Sequence, residues 1–527
     1  MRLLSSVANL LAVGLRLSTA NAFAVPPGDD FNLEERAFAN ERLVFCHFMI
    51  GIVADRTSAS DYDADMRRAK SMGIDAFALN IGTDTYTDQQ LGFAYQSAAK
   101  NGMKVFISFD FNWYNPVTNA SAVGAKIAQY ASQPAQLRIG SSVFASSFSG
   151  DGVNVTTIRE NAGVPLFWAP NFHPGQGDFT QVQAALNWMA WPNNGYNKAP
   201  DASGNISVIA GDESYITALN GKPLVAPASG WFSTHYGAEV PYSKNWVFPG
   251  DLLWYNRWVE ILQEQPQYVE IITWNDYGES HYVGPLSSPH NDDGNSKWVN
   301  DMPHNGWLDM AKPFIAAWKV GSCSPIITSD QIVYWYRVAP STVNCDATDT
   351  TMKPADNSSG NYFEGRPSGW QTMQDAVFVV PLLTHAGTIV VKSGGNEYIY
   401  HAPAGASAFQ VPMGFGSQHF ELQRNGATVM SATSLREILD ACPCGLYNFN
   451  AYVGTVPEGP RDVLGPDSLT QLTNGLNVSC AATPSLASTP PATTTATFTS
   501  TIGGGTSAYP LSGKSLVTAH NPRLVGT

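Results

Sequence analysis

Two carboxylates three positions apart, Asp276 and Glu279, sit in the run Trp274-Asn-Asp-Tyr-Gly-Glu279. Splitting a glycosidic bond needs one carboxylic acid to protonate the leaving oxygen. It also needs a second carboxylate to activate water or attack carbon. Like-charge repulsion within a close pair raises one pKa, which suits the acid. Gly278 between the two predicts a tight turn that aims both inward. The structural alternative makes Asp276 a turn cap and Glu279 a solvated side chain. Asp110 is a third acid, better suited to a sugar hydroxyl or a supporting contact than to bond cleavage.

Other chemistries find less support. Histidines 47, 173, 235, 281 and 290 raise a metal, yet no His-X-His or His-Glu-X-X-His spacing occurs. His47 and His281 are better read as hydrogen-bond donors near a sugar. A serine nucleophile lacks its Gly-X-Ser-X-Gly turn.

The elements that position these residues alternate. Apolar runs at 43–50, 74–81, 103–110, 142–148, 164–170, 205–210, 223–228 and 268–274 read as eight strands. Helical spacing covers 61–72, ending at Gly73, then a capping box at Thr87–Gln90 opens a helix closed by Gly102. Further helices are predicted at 120–138, 178–190, 213–219, 252–262 and 307–319. The pattern predicts an α/β chain with a (β/α)8 TIM-like barrel, since no glycine-rich phosphate loop follows the first strand.

Barrel sites lie at the C-terminal strand ends. In order these give His47, Asn80, Asp110-Phe-Asn112-Trp113, Ser146-Ser147, Asn171-Phe-His173, Asp212-Glu213, Ser229-Gly-Trp231 and Trp274 to Glu279. Trp113, Tyr114, Phe172, Trp231, Phe232, Trp274, Tyr277 and Tyr282 lie at or just past these ends. Aromatic faces stack on the C–H faces of sugars, while Asn and Asp bind hydroxyls. Ordinary core packing accounts for about half of such aromatics.

The chain has 527 residues, enough for two or three units. Charged residues are only 14%, and 43 acidic against 29 basic residues give a net charge of −14. That balance argues against nucleic acid and anionic membranes as partners. Met-Arg, an apolar run from Leu3 to Leu17 and small residues through Ala24 form an export signal, assigned to 1–22, with a leader at 23–40. Five Asn-X-Ser/Thr sites (Asn119, Asn154, Asn205, Asn357, Asn477) agree with a secreted, extracellular or wall-associated glycoprotein. After the barrel at 41–322, short β-rich runs predict a β-sandwich accessory domain at 323–482. A Ser/Thr/Pro/Gly-rich tail, read as disordered, fills 483–527. Bridges Cys323–Cys345 and Cys442 or Cys444 to Cys480 are expected, with Cys46 a buried thiol.

Three motifs together resemble one family. His47-Phe-Met-Ile-Gly, Asp110-Phe-Asn-Trp113 and Trp274-Asn-Asp-Tyr-Gly-Glu-Ser-His-Tyr282 are similar to glycoside hydrolase family 71, the fungal endo-α-1,3-glucanases or mutanases. The likeness covers roughly residues 41–320. It implies a barrel followed by a sandwich, hydrolysis of (1→3)-α-D-glucosidic bonds with inversion, and no cofactor or metal. It places the acid and base on Asp276 and Glu279. Substrate contacts are expected at His47, Asn80, Asp110, Asn112, Trp113, Asn171, Trp231, Trp274, Asn275, Tyr277 and His281. The expected partner is α-1,3-glucan, met by a monomer. The competing readings are a glycosidase of another linkage, a non-catalytic wall-binding protein and a metal-dependent carbohydrate deacetylase.

Overall fold

The computed structural model describes residues 42–236, 244–291, 296–349, 365–462 and 498–499. The expected export signal, the 23–40 leader, Asn357, Asn477, Cys480 and nearly all of the 483–527 tail lie outside the described residues.

The first region alternates strands and helices. β1 (Leu43–Met49), α1 (Asp63–Met72), β2 (Ala76–Ile81), α2 (Thr87–Asn101), β3 (Lys104–Asp110) and α3 (Ala120–Tyr130) come first. β4 (Arg138–Ile139) then turns back on β5 (Ser142–Phe148), followed by α4 (Val155–Ala162), β6 (Leu166–Pro170) and β7 (Ala185–Leu186). Next come α5 (Val208–Leu219), β8 (Leu224–Ala228) and a hairpin of β9 (Ser233–Tyr236) with β10 (Lys244–Val247). α6 (Leu253–Glu264), β11 (Tyr268–Ile271), α7 (Ser296–Val299) and α8 (Asn305–Lys319) complete it.

Eight parallel strands hydrogen-bond in the order β6-β5-β3-β2-β1-β11-β8-β7, which makes a curled sheet. β6 and β7 share no ladder among the described residues. Isolated bonds cross their seam instead: the Gln183 amide donates to Trp168 O at 2.9 Å, and Asn171 Nδ2 donates to Leu186 O at 3.0 Å.

Side chains alternate across each strand. One set (Phe45, Ala78, Phe106, Phe144, Leu186, Tyr268) forms a cluster on the inner face of the sheet. The other set (Val44, Cys46, Phe77, Leu79, Val105) packs against the helices. Cys46 is a buried free thiol, as expected. α1 and α2 end where glycine accepts a left-handed backbone, at Gly73 (φ 94°) and Gly102 (φ 63°).

Several sequence expectations give way. Residues 178–190 form no helix; only a 3-10 turn at Phe179–Gln181 and two-residue β7 stand there, because this stretch seals the seam. The expected strand at 205–210 is instead the start of α5, whose N-cap Ser207 Oγ accepts from the Ala210 amide at 3.2 Å. A short apolar run fits either state by pattern alone. Asp212 therefore lies within a helix, buried, with Arg257 at 2.5 Å and Asn187 Nδ2 at 2.7 Å, and Glu213 faces solvent. The capping box is at Ser58–Asp61, not at Thr87–Gln90. The helix expected over 120–138 stops at Tyr130.

The second region is strand-rich. Its strands are β12 (Gln331–Arg337), β13 (Ala376–Leu383), β14 (Gly387–Ser393), β15 (Asn396–Ala402), β16 (Gly405–Ala406), β17 (Phe409–Pro412), β18 (Gln418–Arg424), β19 (Ala427–Thr433), β20 (Ala451–Val456) and β21 (Phe498–Thr499). One sheet runs β16-β13-β12-β20 with β17 also on β13; the other runs β19-β18-β14-β15-β21. Tyr334 and Val379 of the first sheet share a buried cluster with Val391 and Phe420 of the second.

The two regions share a core. Trp335, Phe378 and Val453 belong to the same buried cluster as Trp254 and Trp307. His304 reaches carbonyls on both sides, Tyr282 O at 2.8 Å and Ala451 O at 2.9 Å.

The expected Cys323–Cys345 bridge is corrected: Cys345 bonds Cys442, and Cys323 is a free exposed thiol. Cys442 is thereby excluded as a partner of Cys480; Cys444 is disulfide-bonded, and the expected bridge from it to Cys480 lies outside the described residues. The sequence spacing of cysteines carries no distance, and the chain folds back so that Leu446 and Tyr447 lie beside Cys345 and Asp346. The Cys345–Cys442 bond spans 97 positions, a loop for which chain entropy gives about 4–5 kcal/mol. The double variant Cys345→Ser/Cys442→Ser is expected to lose about 2–5 kcal/mol in urea unfolding. An unchanged midpoint would mean the bond adds nothing to stability.

Candidate functional site

Two positions beyond the inner apolar cluster, the same face of the strands turns polar. His47, Asn80, Ser108, Ser146 and Glu270 follow Phe45, Ala78, Phe106, Phe144 and Tyr268, and all five are buried. His47 Nδ1 donates to Glu270 Oε1 at 2.8 Å. His47 Nε2, Ser108 Oγ and Ser146 Oγ find no hydrogen-bond partner among the described residues. A buried polar layer of this kind is costly unless it binds something polar.

Above this layer the chain leaving β11 doubles back. The Thr273 amide donates to His281 O at 2.9 Å, and the Val283 amide to Thr273 O at 2.9 Å. Within the loop, the Asp276 amide donates to Thr273 Oγ1 at 2.9 Å and the Glu279 amide to Asp276 Oδ1 at 3.1 Å. The Ser233 amide of β9 donates to Glu279 O at 3.0 Å. The left-handed residue in the loop is Ser280 (φ 60°), not Gly278. Gly284 is the glycine the geometry requires, since a Cβ there would meet Trp274 O at 2.6 Å.

This frame brings Asp276, Glu279 and His281 together, with one ligand-type atom of each within 4.8 Å of the others. His281 Nε2 lies 2.9 Å from Glu279 Oε2 and 3.7 Å from Asp276 Oδ2. The Lys244 ammonium of β10 pairs with Glu279. Both carboxylates keep partial access to solvent, at 19% and 17% side-chain exposure. Two carboxylates and an imidazole are also donors that suit a cation. The Lys244 ammonium already supplies positive charge at Glu279, and so opposes a second cation there.

Asp110 also faces this region. Burial pushes its carboxyl up, while the Asn112 amide at 2.8 Å and the positive fields of His47 and Lys244 pull it back. At the rim, Asn112 is exposed and Trp113 is 64% exposed. A Cβ on Gly82 would come within 3.2 Å of the Trp113 ring.

Other expected contact residues are engaged in structure instead. Asn171 spends its amide on the seam, with Ser149 N, Leu186 O and Tyr215 Oη. Buried Trp231 donates to Phe449 O at 2.8 Å, across to the strand-rich region. Trp274 packs edge-on against Phe77 and donates to Asp65 Oδ1 at 3.1 Å; Asp65 in turn pairs with Arg56 at 2.8 Å. Asn275 clasps Met49, accepting from its amide at 2.7 Å and donating to its carbonyl at 3.2 Å. Tyr277 is buried against Tyr282 and His290 and donates to Pro285 O. The loop thus sends Trp274, Asn275 and Tyr277 into support, and Asp276 and Glu279 to the opening.

The remaining histidines have local partners. His173 pairs with Asp151 at 2.5 Å, and His235 with Asn245 and Asp349 at 2.7 Å each. Residues missed by pattern are Glu270, Lys244 and Trp188. Trp188 is half-buried just past β7, 4.8 Å from both His47 and Phe148 and 6.4 Å from His281, by ring centres. A lone glutamate inside the apolar run 268–274 was the one available signal for Glu270.

The environment of His281 has a pH consequence. Burial among Trp191 and Phe232 pushes its imidazole down from 6.5 to about 4, against the pull of Asp276. Between these values the unfolded chain holds the extra proton, so stability rises with pH across that window. The contribution is present above 6.5 and is lost as pH falls through about 4, at no more than about 1.4 kcal/mol per unit. His281→Asn is expected to flatten the pH 4–6.5 slope of urea-unfolding free energy relative to wild type. Parallel slopes would refute the assignment.

The sequence profile of glycosyl hydrolase family 71 matches residues 40–464. A mutanase from Penicillium rubens is 39% identical over 434 residues, covering 80% of this chain and 90% of the relative. A glucan endo-1,3-alpha-glucosidase from Schizosaccharomyces pombe is 32% identical over 437 residues, covering 79% and 95%. An ascus wall endo-1,3-alpha-glucanase from Schizosaccharomyces pombe is 26% identical over 383 residues, covering 67% and 82%. The profile match runs from before β1 to beyond β20, so the curled sheet and strands β12 to β20 fall within one family unit, and the chain belongs to glycosyl hydrolase family 71.

Proposed function

We propose that this chain hydrolyses (1→3)-α-D-glucosidic bonds within α-glucan, with Asp276 and Glu279 as its acid and base. The observation that carries the reading is the convergence of these carboxylates at the opening of the curled sheet. Family relatives named for mutanase and endo-1,3-alpha-glucanase activity support the linkage.

In this mechanism one carboxylic acid protonates the glycosidic oxygen as the C1–O bond breaks. The other carboxylate removes a proton from the attacking water, which joins C1. His281 donates to Glu279 and Lys244 pairs with it, so the loop enters the reaction with one carboxylate held in place. The exposed Asn112 and Trp113 extend the opening beyond the pair, which suits a chain bound along its length and cut internally.

Inversion is the stereochemistry that family resemblance favours. The pair's nearest ligand atoms, within 4.8 Å, favour a second reading. Inverting pairs stand about 6.5–9.5 Å apart and retaining pairs about 5–5.5 Å. The retaining alternative has one carboxylate attack C1 directly.

The wider reading is a (β/α)8 barrel closed at the β6/β7 seam, at 41–322, with a β-sandwich accessory domain at 323–482. The protein acts outside the cell or in the wall as a monomer, without cofactor or metal. The apolar N-terminus and the exposed Asn154 and Asn205 support export.

The secreted full chain, incubated with insoluble α-1,3-glucan, is expected to release reducing sugar at a rate unchanged by EDTA. Asp276→Asn and Glu279→Gln are each expected to retain about a hundredth of that rate or less. Release from another glucan but not this one would refute the linkage. Variants as active as wild type would refute the pair.

A further inference from the structure

Trp188 occupies a place that neither the carboxylate pair nor the core accounts for. Its ring bridges two buried clusters, the inner-face cluster of Phe45 and Tyr268 and the one formed by Trp191 and Phe232, yet it stays only half-buried. Leu186, two positions earlier, faces the sheet interior, so the extended chain past β7 presents Trp188 to the same side as the polar layer. A large indole left partly open beside buried polar groups suits a ligand with both an apolar face and hydroxyls, which describes a pyranose ring.

Its orientation is held from below. His47 meets the Trp188 ring at 76° and Phe148 meets it at 74°, both edge contacts at 4.8 Å. His47 cannot turn freely, because Nδ1 is committed to Glu270 Oε1 at 2.8 Å and both residues are buried. Glu270 lies on β11, the strand whose continuation carries Asp276. The indole and the carboxylate pair are therefore referenced to one strand.

We propose that Trp188 is the stacking platform for the glucosyl ring at the cleavage point, and that Glu270 is a positioning residue acting on it through His47. This rests on the glycosidase reading above. Trp188 touches the sugar; Glu270 does not.

The test is steady-state hydrolysis of soluble linear gluco-oligosaccharides with α-1,3, α-1,4 or β-1,3 linkages. Wild type is assayed first, and its preferred substrate is used for every variant. Trp188→Ala is expected to raise KM about tenfold or more, with Trp188→Phe recovering most of the loss because a ring face remains. Glu270→Met is expected to raise KM in the same direction. Glu270→Gln, whose amide oxygen still accepts from His47 Nδ1, is expected to recover it. In Trp188→Ala, adding Glu270→Met should cost little more, since the two act on one contact. Nitrogen-15 NMR of labelled histidine should show a proton on His47 Nδ1 in wild type and in Glu270→Gln.

A KM unchanged in Trp188→Ala, or a loss confined to kcat, would overturn the platform. Additive losses for Trp188→Ala and Glu270→Met would overturn the positioning role. Thermal unfolding of each variant separates these results from misfolding, with Trp188→Phe and Glu270→Gln as the folded comparisons. Wild type preferring another linkage would sink the α-1,3 assignment while leaving the platform to be judged on that substrate. Wild type cutting none of them would sink both.

Discussion

Side chains alternate along a parallel strand with a period of two, and β11 shows what this imposes on the whole molecule. Tyr268 points into the inner apolar cluster, Glu270 into the polar layer above it, while Val269 and Ile271 pack against the helices. The same parity places His47 over Phe45, Asn80 over Ala78 and Ser108 over Phe106. Where the strand ends, the chain must turn back without wasting its backbone bonds, and Thr273 supplies an amide, a carbonyl and a hydroxyl to the returning segment. Asp276 and Glu279 stand at the opening because that turn is pinned at both ends.

Support for the turn comes from residues that themselves do no chemistry in this account. Asn275 ties it to β1, Trp274 ties it to Asp65 of α1 and through that to Arg56, and Tyr277 closes the outer side against Pro285. His281 is buried so deeply that it stays neutral over the mildly acidic range, and it offers Glu279 a hydrogen bond without adding charge. Lys244 brings the charge instead, from a hairpin that belongs to the neighbouring strand connection. The strand-rich region backs this arrangement through His304 and Asn450, which bond Tyr282 at the end of the same motif.

Much of this was legible in the sequence where local and tertiary demands agree. β1, β2 and β3 are largely apolar runs that each carry a polar residue at or near the C-terminal end, His47, Asn80 and Asp110, so both strand and site end could be read from them. The pairing of Asp276 with Glu279 followed from spacing and from motif likeness. The middle of the sheet was not legible. β7 is two residues long and owes its place to the seam, so neither its position nor Trp188 beside it leaves a periodic trace. Trp231, Trp274 and Tyr277 look like sugar-binding aromatics by type and place, but the loop after β11 turns Trp274 and Tyr277 into packing and the strand-rich region covers Trp231. Residue type cannot show which way a side chain faces once strand alternation stops. The Cys345–Cys442 bond likewise depends on a fold-back that cysteine spacing does not encode.

The central claim is that Asp276 and Glu279 divide acid and base work between them. It is tested most directly with a glucosyl-α-1,3-glucosyl fluoride, whose leaving group needs no proton. Rates of Asp276→Asn and Glu279→Gln on this fluoride are compared with their rates on α-1,3-glucan. Both variants are expected to fail on the glucan, and one of them, the one lacking the acid, is expected to recover on the fluoride. Equal recovery of both, or glucan hydrolysis by either at the wild-type rate, would contradict it.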